Sequence, residues 1–436
     1  MRRQKRREPY TIAIDNLSHE GRGVGRHNGK TVFVRGALPG EQVVARTVKR
    51  RGRFDEAIAL EVIEASPSRI TPHCPHAEVC GGCSLQHLGA DDQIAHKESV
   101  LFELLQHQAG LEPEQRLLPL RGPEWAYRRK ARLGVKYVEK KGGALVGFRE
   151  KAAPYIADIA ACAVLIPQVG EQLLALRELI NGLSIPNRIP QIEVAAGDDS
   201  VALVFRHLEA LTPADIDRLN DFQDRSGIDV YLQPGGEDSV HPLDEATGRL
   251  SYRVDGVDIA FSPTDFTQVN AEINREMINR VSAALDLTAD DKVLDLFAGL
   301  GNFSLPLARA AGHVHGIEGS EDLVTRAREN AAANSIDNAS FACANLADSA
   351  EVAKIDMRGV TKLLLDPPRT GAEVIVDELD LGDVERIVYV SCNPVTLARD
   401  TKTLVVKHGF RLGAAGVMDM FPQTSHVESI AIFDRD

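Results

Sequence analysis

The cysteines of this 436-residue chain fall into two groups that predict different chemistry. Cys74, Cys80 and Cys83 share the run HCPHAEVCGGCSLQH, here called the cysteine loop, and Cys162 follows downstream. Thiolates at this spacing are typical of a zinc or iron-sulfur site. Cys392 stands apart in VYVSCNPVT, where it ends a hydrophobic run. An exposed thiol at that place is a candidate nucleophile.

The first group offers four ligands for a four-iron four-sulfur cluster or for a zinc ion. His73, His76 and His87 are also zinc ligands by type, whereas the 78 residues between Cys83 and Cys162 are many for a zinc ribbon. Spacing alone leaves both occupants open. A cluster that cleaves a methyl donor keeps one iron open, whereas four cysteines close it, so we expect a structural or RNA-docking role.

A Gly-rich turn follows a buried strand in VLDLFAGLGNFSLPLA, which begins at Val293. Glycine lets the backbone approach a ligand in the crevice beyond the end of a strand. The later run HVHGIEGS places Glu318 at the end of the next strand, where a carboxylate accepts hydrogen bonds from the ribose hydroxyls of a nucleoside. The turn lacks the GxGxxG order of dinucleotide sites and the Lys-Ser/Thr of phosphate sites.

Two later strands carry the residues of a candidate reacting centre. KLLLDPPRTG brings Asp366 and Arg369 to a strand end, and RIVYVSCNP delivers Cys392. Because parallel strands point their carboxyl ends at one crevice, these residues and the Gly-rich turn are expected to converge. A thiolate that adds to carbon 6 of a pyrimidine makes carbon 5 nucleophilic enough to accept a methyl group. Glu428, in TSHVESIAIF, is the candidate base for the proton that carbon 5 then loses.

The pattern of elements predicts a multidomain α/β protein with three parts. Short alternating strands broken by glycine turns predict a small β-barrel in 1–68. The cysteine loop and the mixed strands and helices after it predict a central α+β domain, 69–264. Regular alternation of strands and helices then predicts a doubly wound, Rossmann-like sheet in a C-terminal domain, 265–436.

Charge is distributed unevenly along the chain. The net charge is −13, yet residues 1–55 contain 14 Lys or Arg against 5 Asp or Glu, so the remainder carries −22. A second basic stretch, 121–149, has nine Lys or Arg and is interleaved with Trp125 and Tyr127. One such run alone favours a solvated strand pair. Two runs in an acidic chain, with aromatic rings that stack bases, favour a single-stranded or looped RNA partner.

Composition argues against two classes of protein. Six cysteines in so long a chain are too few for a secreted disulfide scaffold. No apolar stretch approaches the roughly 18 residues of a membrane span, and the opening MRRQKRRE leads into no hydrophobic signal segment. We therefore expect a cytoplasmic protein without membrane contact, and the sequence indicates no obligate protein partner.

The string DLFAGLGN resembles the first motif of class I S-adenosylmethionine-dependent methyltransferases, in which an acidic strand end faces the methionine part of the donor. This resemblance implies Glu318 at the ribose and Asn345, in FACANLAD, near the adenine, although many members of the class have Asp at the latter position. The N-terminal barrel is similar to the TRAM domain, an oligonucleotide-binding-type barrel, which implies contact with RNA.

DPPR, SCNP and the late HVES together resemble the RNA 5-methyluridine methyltransferases. The resemblance implies that Cys392 is the nucleophile and that Glu428 is the base. It also implies that Asp366 lies at the donor and Arg369 at the substrate.

The same resemblance extends over nearly the whole chain. In FSPTDFTQVN it implies that Gln268 contacts the donor and that Phe266 lies near the target base, while Phe297 and Asn302 line the donor pocket. It also favours a four-iron four-sulfur cluster over zinc. Because barrel and cysteine loop occur together, the chain is most similar to the subgroup that methylates a uracil of 23S rRNA, whereas tRNA enzymes of the family generally lack both.

Two other functions compete with uracil methylation. RNA cytosine-5 methyltransferases share the thiol chemistry, but they use a second cysteine where this chain reads DPPR. A non-catalytic RNA-binding assembly factor with an iron-sulfur cluster is the second alternative. The Gly-rich turn and Cys392 favour an enzyme.

Overall fold

The computed structural model describes residues 8–244 and 248–435, so all but the last residue of the basic opening MRRQKRRE lies outside the described residues. The first unit consists of β1 (Tyr10–Ala13), β2 (Asn16–Leu17), β3 (Gly23–His27), β4 (Lys30–Arg35), β5 (Gln42–Arg50) and β6 (Phe54–Glu64). These strands form one sheet in the order β1-β5-β6-β4-β3-β2. Among the described residues, no helix has the length and apolar character needed to cross a membrane.

The N-terminal sheet folds around its own core, as predicted for a small barrel. Alternate side chains of a strand point to one face, and the inner face buries Ile12, Val32, Val34, Val43 and Ala45. Gly25 is required by a close approach of two chains, because a Cβ there would collide with the carbonyl oxygen of Ala13. Leu38 of the barrel packs on Leu85 of the cysteine loop. The barrel therefore rests directly on that loop.

A helix follows the cysteine loop, as its sequence predicts. α1 (Ala90–Leu104) continues into a π-helical turn over Leu105–Ala109, and β7 (Gln115–Arg116) comes next. The apolar face of α1 is buried in the core of the C-terminal sheet, and β7 extends the edge of that sheet. The prediction placed 90–116 in the central domain, but the structure packs this segment on the C-terminal one, because its apolar face has its partner there.

The central domain contains a second mixed sheet with helices packed against it. Its elements are β8 (Lys130–Val138), β9 (Gly143–Gly147), α2 (Pro167–Gly170), α3 (Leu173–Gly182), β10 (Gln191–Ala196), β11 (Val201–Arg206), α4 (Pro213–Ser226), β12 (Asp229–Gln233) and β13 (His241–Pro242), with 3₁₀ turns at Glu139–Lys141, Pro186–Arg188 and Glu237–Ser239. The strand order is β13-β12-β11-β10-β8-β9. Thr212 and Asp215 form a capping box that starts α4.

A hairpin and a helix join the central domain to the C-terminal one. The hairpin is β14 (Ser251–Val254) with β15 (Val257–Ala260), and α5 (Ala271–Leu285) follows after Asn270, whose side chain accepts a hydrogen bond from the backbone of Ile273. Apolar residues of the hairpin and of α5 share one core with the C-terminal sheet. The hairpin, which the prediction assigned to the central domain, thus packs on its C-terminal neighbour.

The C-terminal domain is the predicted doubly wound sheet. Its elements are β16 (Lys292–Leu296), α6 (Ser304–Leu307), β17 (His313–Glu318), α7 (Glu321–Ala333), β18 (Ala339–Cys343), α8 (Ser349–Val352), β19 (Lys362–Leu365), α9 (Glu373–Glu378), β20 (Arg386–Ser391), α10 (Pro394–Val406), β21 (Arg411–Met418) and β22 (Glu428–Asp434). The order is β18-β17-β16-β19-β20-β22-β21-β7. The first five strands are parallel, and β22 runs antiparallel to both of its neighbours.

α1 carries a buried cation into the C-terminal domain. Lys97 is 1% exposed, and its Nζ lies 2.5 Å from a carboxylate oxygen of Asp419 and 3.0 Å from the carbonyl oxygen of Phe421. Burial lowers the pKa of Lys97, and Asp419 opposes this shift. The pair ties α1 to the segment between β21 and β22.

We expect Lys97→Met to lower the free energy of unfolding by about 3 kcal/mol, because it leaves a largely buried carboxylate without its cation. Arg358→Met is the matched control, since it removes an exposed pair with Asp356 and should change the same quantity far less. Urea denaturation of both variants measures the difference. Equal losses in the two variants contradict the expectation.

Candidate active site and cysteine cavity

Five of the predicted site residues follow five adjacent parallel strands. Phe297, Glu318, Asn345, Asp366 and Cys392 lie at or just beyond the carboxyl ends of β16, β17, β18, β19 and β20. The chain order reverses between β16 and β19, so this edge has the switch point at which doubly wound sheets bind ligands. The structure therefore brings these residues, which are far apart in sequence, to one edge.

The Gly-rich turn has a backbone built for close approach. Phe297 has a φ of 71°, a left-handed backbone conformation that residues other than glycine rarely adopt. Its N–H and that of Ala298 both donate to the carbonyl oxygen of Ile317, at 2.9 and 3.1 Å. These bonds hold the turn against the end of β17 and keep the Phe297 backbone in place.

The Glu318 carboxylate is oriented by three backbone N–H groups. One oxygen accepts from Gly299 at 3.0 Å, and the other accepts from Gly319 at 2.7 Å and from Ser320 at 3.2 Å. The side chain is half-buried. Charged acceptors held in this way keep their direction, and the oxygen that accepts only from Gly299 retains capacity for a hydroxyl donor.

The other residues predicted at the donor differ in their surroundings. The Asn302 amide exchanges two hydrogen bonds of 3.0 Å with Asn274 and accepts a third from the Tyr252 hydroxyl at 2.9 Å. Its polar atoms thus join α5 and the hairpin to the Gly-rich turn. Gln268 is half-buried between the hairpin and α5. Asn345 is exposed, and its side-chain oxygen accepts from the backbone N–H of Ala347 at 3.1 Å.

Asp295, near the end of β16, was not among the predicted site residues. It is fully buried, one of its oxygens accepts from the Ser304 hydroxyl, and the other has no hydrogen-bond partner. Burial raises its pKa to about 7. A buried acceptor without a donor marks a place for a ligand group. The acidic residue in the motif DLFAGLGN is the feature of the sequence that could have identified Asp295.

Cys392 and Glu428 lie beside the last residue pair of two antiparallel strands. Ser391 ends β20 and is paired with Ser429 of β22, Cys392 follows Ser391 in a bend, and Glu428 precedes Ser429. Both residues therefore lie at the same edge of the sheet, and the charge of Glu428 acts on the Cys392 thiol. Burial, followed by the charges of Glu428 and Asp366, raises the pKa of the Cys392 thiol to about 11, while Arg369 acts in the opposite direction.

His426 is the second residue that the predictions missed. Its Nε2 lies 3.1 Å from a carboxylate oxygen of Glu428, and its ring packs edge-on against Phe421. The HVES run contained the histidine, but its distance from the Glu428 carboxylate depends on how the chain enters β22.

Asp366 is a further acidic residue at this edge. Burial, with Glu428 and Asp295 as charged neighbours, raises the pKa of Asp366.

The two residues predicted on the substrate side are exposed. Phe266 is 71% exposed and follows a turn in which the Asp265 carboxylate accepts from the Ser262 backbone at 2.6 Å. It lines a cavity together with Ser320, which follows Glu318 closely. Arg369 is exposed beside the nucleophile, and its carbonyl oxygen accepts from the Asn393 side chain at 2.8 Å. That bond links the DPPR and SCNP turns.

The four remaining predicted residues, Cys74, Cys80, Cys83 and Cys162, line one cavity, here called the cysteine cavity. All four are half-buried free thiols. Burial, together with the proximity of the other cysteines, raises the pKa of Cys83 to about 12 and raises those of Cys80 and Cys162.

The thiols surround the cysteine cavity without meeting at one point. In residues 8–244 and 248–435, no three His, Cys, Asp or Glu side chains converge as ligands of a single metal ion would. A zinc ion with sulfur ligands at about 2.3 Å needs such convergence. A four-iron cluster binds each thiolate at a different corner, so its ligands stand further apart. Four thiols that line one cavity fit a group that several thiolates bind.

The basic stretch 121–149 divides into an inner and an outer part. Arg128 lines the cysteine cavity, Arg129 pairs with Asp198, and Lys130 pairs with Glu193. The outer cations line a groove that also contains the exposed Tyr155: Arg132, Lys136, Lys141 and Arg149.

The expected stacking role of Trp125 and Tyr127 needs correction. Tyr127 is 4% exposed, and its hydroxyl donates to the carbonyl oxygen of Pro422 at 2.9 Å. Trp125 is half-buried beside His73 at the cysteine cavity. Both aromatic rings pack around the cysteine loop. Because Tyr127 is buried there, the prediction that it stacks on bases was wrong.

Comparison with known proteins identifies the family. The profile of the tRNA (Uracil-5-)-methyltransferase family matches residues 196–436, and that of the TRAM domain matches residues 3–60. The chain belongs to the RNA uracil-5-methyltransferase family. The resemblance based on DPPR, SCNP and HVES is thereby confirmed, as is the TRAM-like barrel.

Members of this family match the whole chain. A 23S rRNA (uracil(1939)-C(5))-methyltransferase RlmD from Alkalilimnicola ehrlichii is 54% identical over 100% of this chain and 98% of its own length. The protein of that name from Alcanivorax borkumensis is 50% identical over the same shares. The crystal structure of Pyrococcus abyssi tRNA (uracil-54, C5)-methyltransferase, in complex with S-adenosyl-L-homocysteine, is 26% identical, with a TM-score of 0.75 over 97% of this chain and 100% of that chain.

The charges around Cys392 predict opposite effects of two substitutions on its reactivity. Arg369→Gln removes a charge that lowers the thiol pKa, so alkylation of Cys392 by iodoacetamide near neutral pH should slow about three- to tenfold. Glu428→Gln removes the larger of the two charges that raise the pKa and should accelerate alkylation by a similar factor. Mass spectrometry of the modified peptides measures both, with exposed Cys343 as internal reference. Shifts of the same sign contradict the electrostatic account.

Proposed function

We propose that this protein transfers a methyl group from S-adenosylmethionine to carbon 5 of a uracil in 23S rRNA, at the position 1939 named for its full-length relatives. The observation that carries the proposal is the proximity of Cys392 and Glu428 at the edge of the sheet that also holds the Gly-rich turn. A nucleophile and a base on either side of one small crevice suit addition to a ring followed by removal of a proton.

The reaction proceeds by covalent catalysis. The Cys392 thiolate bonds to carbon 6 of the uracil, and the electron pair displaced from the ring double bond makes carbon 5 nucleophilic. Carbon 5 takes the methyl group, which S-adenosylmethionine supplies in electrophilic form. Glu428 then removes the proton from carbon 5, the double bond forms again, and the sulfur leaves carbon 6. His426, 3.1 Å from Glu428, orients the carboxylate that accepts the proton.

The donor occupies the switch point between β16 and β19. Glu318 binds the ribose hydroxyls with a carboxylate that three backbone N–H groups orient. Phe297, Gln268 and Asp366 line the pocket, and Asn345 lies towards the adenine. Asn302 acts chiefly by fixing the Gly-rich turn, because its amide is already bonded to Asn274 and Tyr252.

RNA binds over the barrel and the groove of the central domain. The groove offers Lys136 and Arg149 for phosphates and the exposed Tyr155 ring for a base, while Arg132 and Lys141 are paired with Glu193 and Asp158. Arg369 adds a positive charge next to the nucleophile. The target base must leave its stack, because carbon 6 is attacked from one face, and the exposed ring of Phe266 provides a surface for that base.

The function is tested with 23S rRNA in which 5-fluorouracil replaces uracil. Fluorine at carbon 5 blocks the final proton removal, so protein, donor and RNA should accumulate a covalent complex visible as a band of reduced mobility in a denaturing gel. Cys392→Ala should abolish the band, and Cys343→Ala is the matched control that should retain it. A band that persists without the Cys392 sulfur defeats the proposed function, and failure to bind the donor revives the non-catalytic alternative.

We also propose that the cysteine cavity holds a four-iron four-sulfur cluster, ligated by Cys74, Cys80, Cys83 and Cys162. Four thiols around one cavity support this assignment. Such a cluster supplies strong covalent links between the cysteine loop and the segment of the central domain that carries Cys162.

Protein purified without oxygen should contain about four irons and four acid-labile sulfides per chain, and little zinc. Cys162→Ser should reduce the iron and sulfide content several-fold, while Cys343→Ser, outside the cavity, should leave it unchanged. Metal analysis and the visible absorption spectrum provide the measurement. Stoichiometric zinc, or equal metal contents in the two variants, would falsify the assignment.

A further inference from the structure

The segment that leads into the candidate base has an unusual conformation. Residues 419–427, here called the base segment, connect β21 to Glu428 at the start of β22. At its centre Gln423 is 3% exposed and has a φ of 68°, in the left-handed region. A non-glycine residue in this region is held there by its neighbours. The base segment therefore depends on contacts from outside itself.

The cysteine loop provides the first set of these contacts. The backbone N–H groups of Ser84 and Leu85 both donate to the carbonyl oxygen of Gln423, each at 3.0 Å. The Ser84 hydroxyl accepts from the backbone N–H of Ser425 at 2.9 Å. Ser84 directly follows Cys83, so the residue next to a candidate ligand is bonded to the base segment at two places.

α1 provides the second set. The side-chain oxygen of Gln93 accepts from the backbone N–H of Gln423 at 3.0 Å. The Nε2 atom of Gln93 lies 3.1 Å from the side-chain oxygen of Gln423. The same Nε2 lies 2.9 Å from the carbonyl oxygen of Leu88 and 3.2 Å from that of Leu85. One buried amide thus joins the end of the cysteine loop to the base segment. A buried network in which each group has a partner is rigid.

We propose that the cysteine loop controls the removal of the carbon-5 proton, with Ser84 and Gln93 as positioning residues that set the place of Glu428 through Gln423. This inference rests on the proposed function, since it assigns the two residues to one step of that reaction. Cys392 lies outside the network, because it is placed by the end of β20 and by the start of α10, which Asn393 caps. Addition of the thiolate to carbon 6 therefore does not require the geometry of the base segment, which acts on the sulfur only through the charge of Glu428.

The consequence is a separation of two steps that an ordinary loss of stability does not produce. A base that is displaced by up to about 1 Å removes the proton much more slowly, because proton transfer requires hydrogen-bond geometry. The nucleophile, held by a different part of the fold, keeps its own rate. Weakening the network should let the methylated covalent complex accumulate, since its last step becomes slow.

The test compares Ser84→Ala and Gln93→Ala with the wild type, and Gln106→Ala, on the exposed face of the π-helical turn, is the matched control. Formation of the covalent complex with 5-fluorouracil RNA measures addition. Release of tritium from RNA labelled at carbon 5 of uracil measures proton removal. We expect tritium release to fall about tenfold in Gln93→Ala and less in Ser84→Ala, with complex formation within about twofold of the wild type.

The outcomes are distinguishable. Tritium release that falls in both variants while addition is retained, with accumulation of a covalent complex on ordinary RNA, supports the proposal. Equal loss of both rates means that the network only maintains the fold, and unchanged rates mean that the base is placed by β22 alone. Either result overturns the proposal. A wild-type protein that forms no complex and releases no tritium refutes the proposed function instead.

Discussion

The antiparallel pairing of β22 with β20 is the constraint on which the candidate active site depends. In a parallel sheet, each strand delivers the residue at its carboxyl end to the ligand-binding edge, and Cys392 arrives in this way. A partner directly opposite has to come from a strand of reversed direction. Glu428 begins β22, so the start of that strand lies at the same edge where β20 ends. The base segment must therefore enter at this edge, where it meets the cysteine loop.

The thiol at the centre of the site is held in an environment that opposes its ionisation. Burial and two carboxylates favour the neutral thiol, and Arg369 favours the thiolate. The balance of charge around the sulfur thus depends on what else enters the crevice. A positively charged sulfonium donor favours the thiolate by the same electrostatics, so donor and nucleophile are physically coupled.

The cysteine loop is a meeting point of three parts of the molecule. Leu85 packs on Leu38 of the barrel, and its backbone N–H donates to Gln423 of the base segment. Cys80 and Cys83 share a cavity with Cys162 of the central domain. RNA-binding elements and the catalytic edge are joined through these few residues.

Much of the architecture follows from patterns local to the sequence. Glycine turns between short strands, apolar runs of strand length and motifs such as DLFAGLGN, DPPR and SCNP depend on neighbouring residues, so they identified the barrel, the doubly wound sheet and the strand-end residues. α1 and the hairpin precede the C-terminal sheet in sequence but pack on it, because an apolar face is buried wherever its complement lies.

The sequence by itself determined which side chains stand at the ends of strands and which thiols are grouped. Only the tertiary structure decided that Tyr127 is buried beneath the base segment, that Asp295 has an unpartnered oxygen, and that His426 contacts Glu428. These three facts depend on contacts between residues distant along the chain. Such contacts arise from packing and strand register, which no local pattern of residue types specifies.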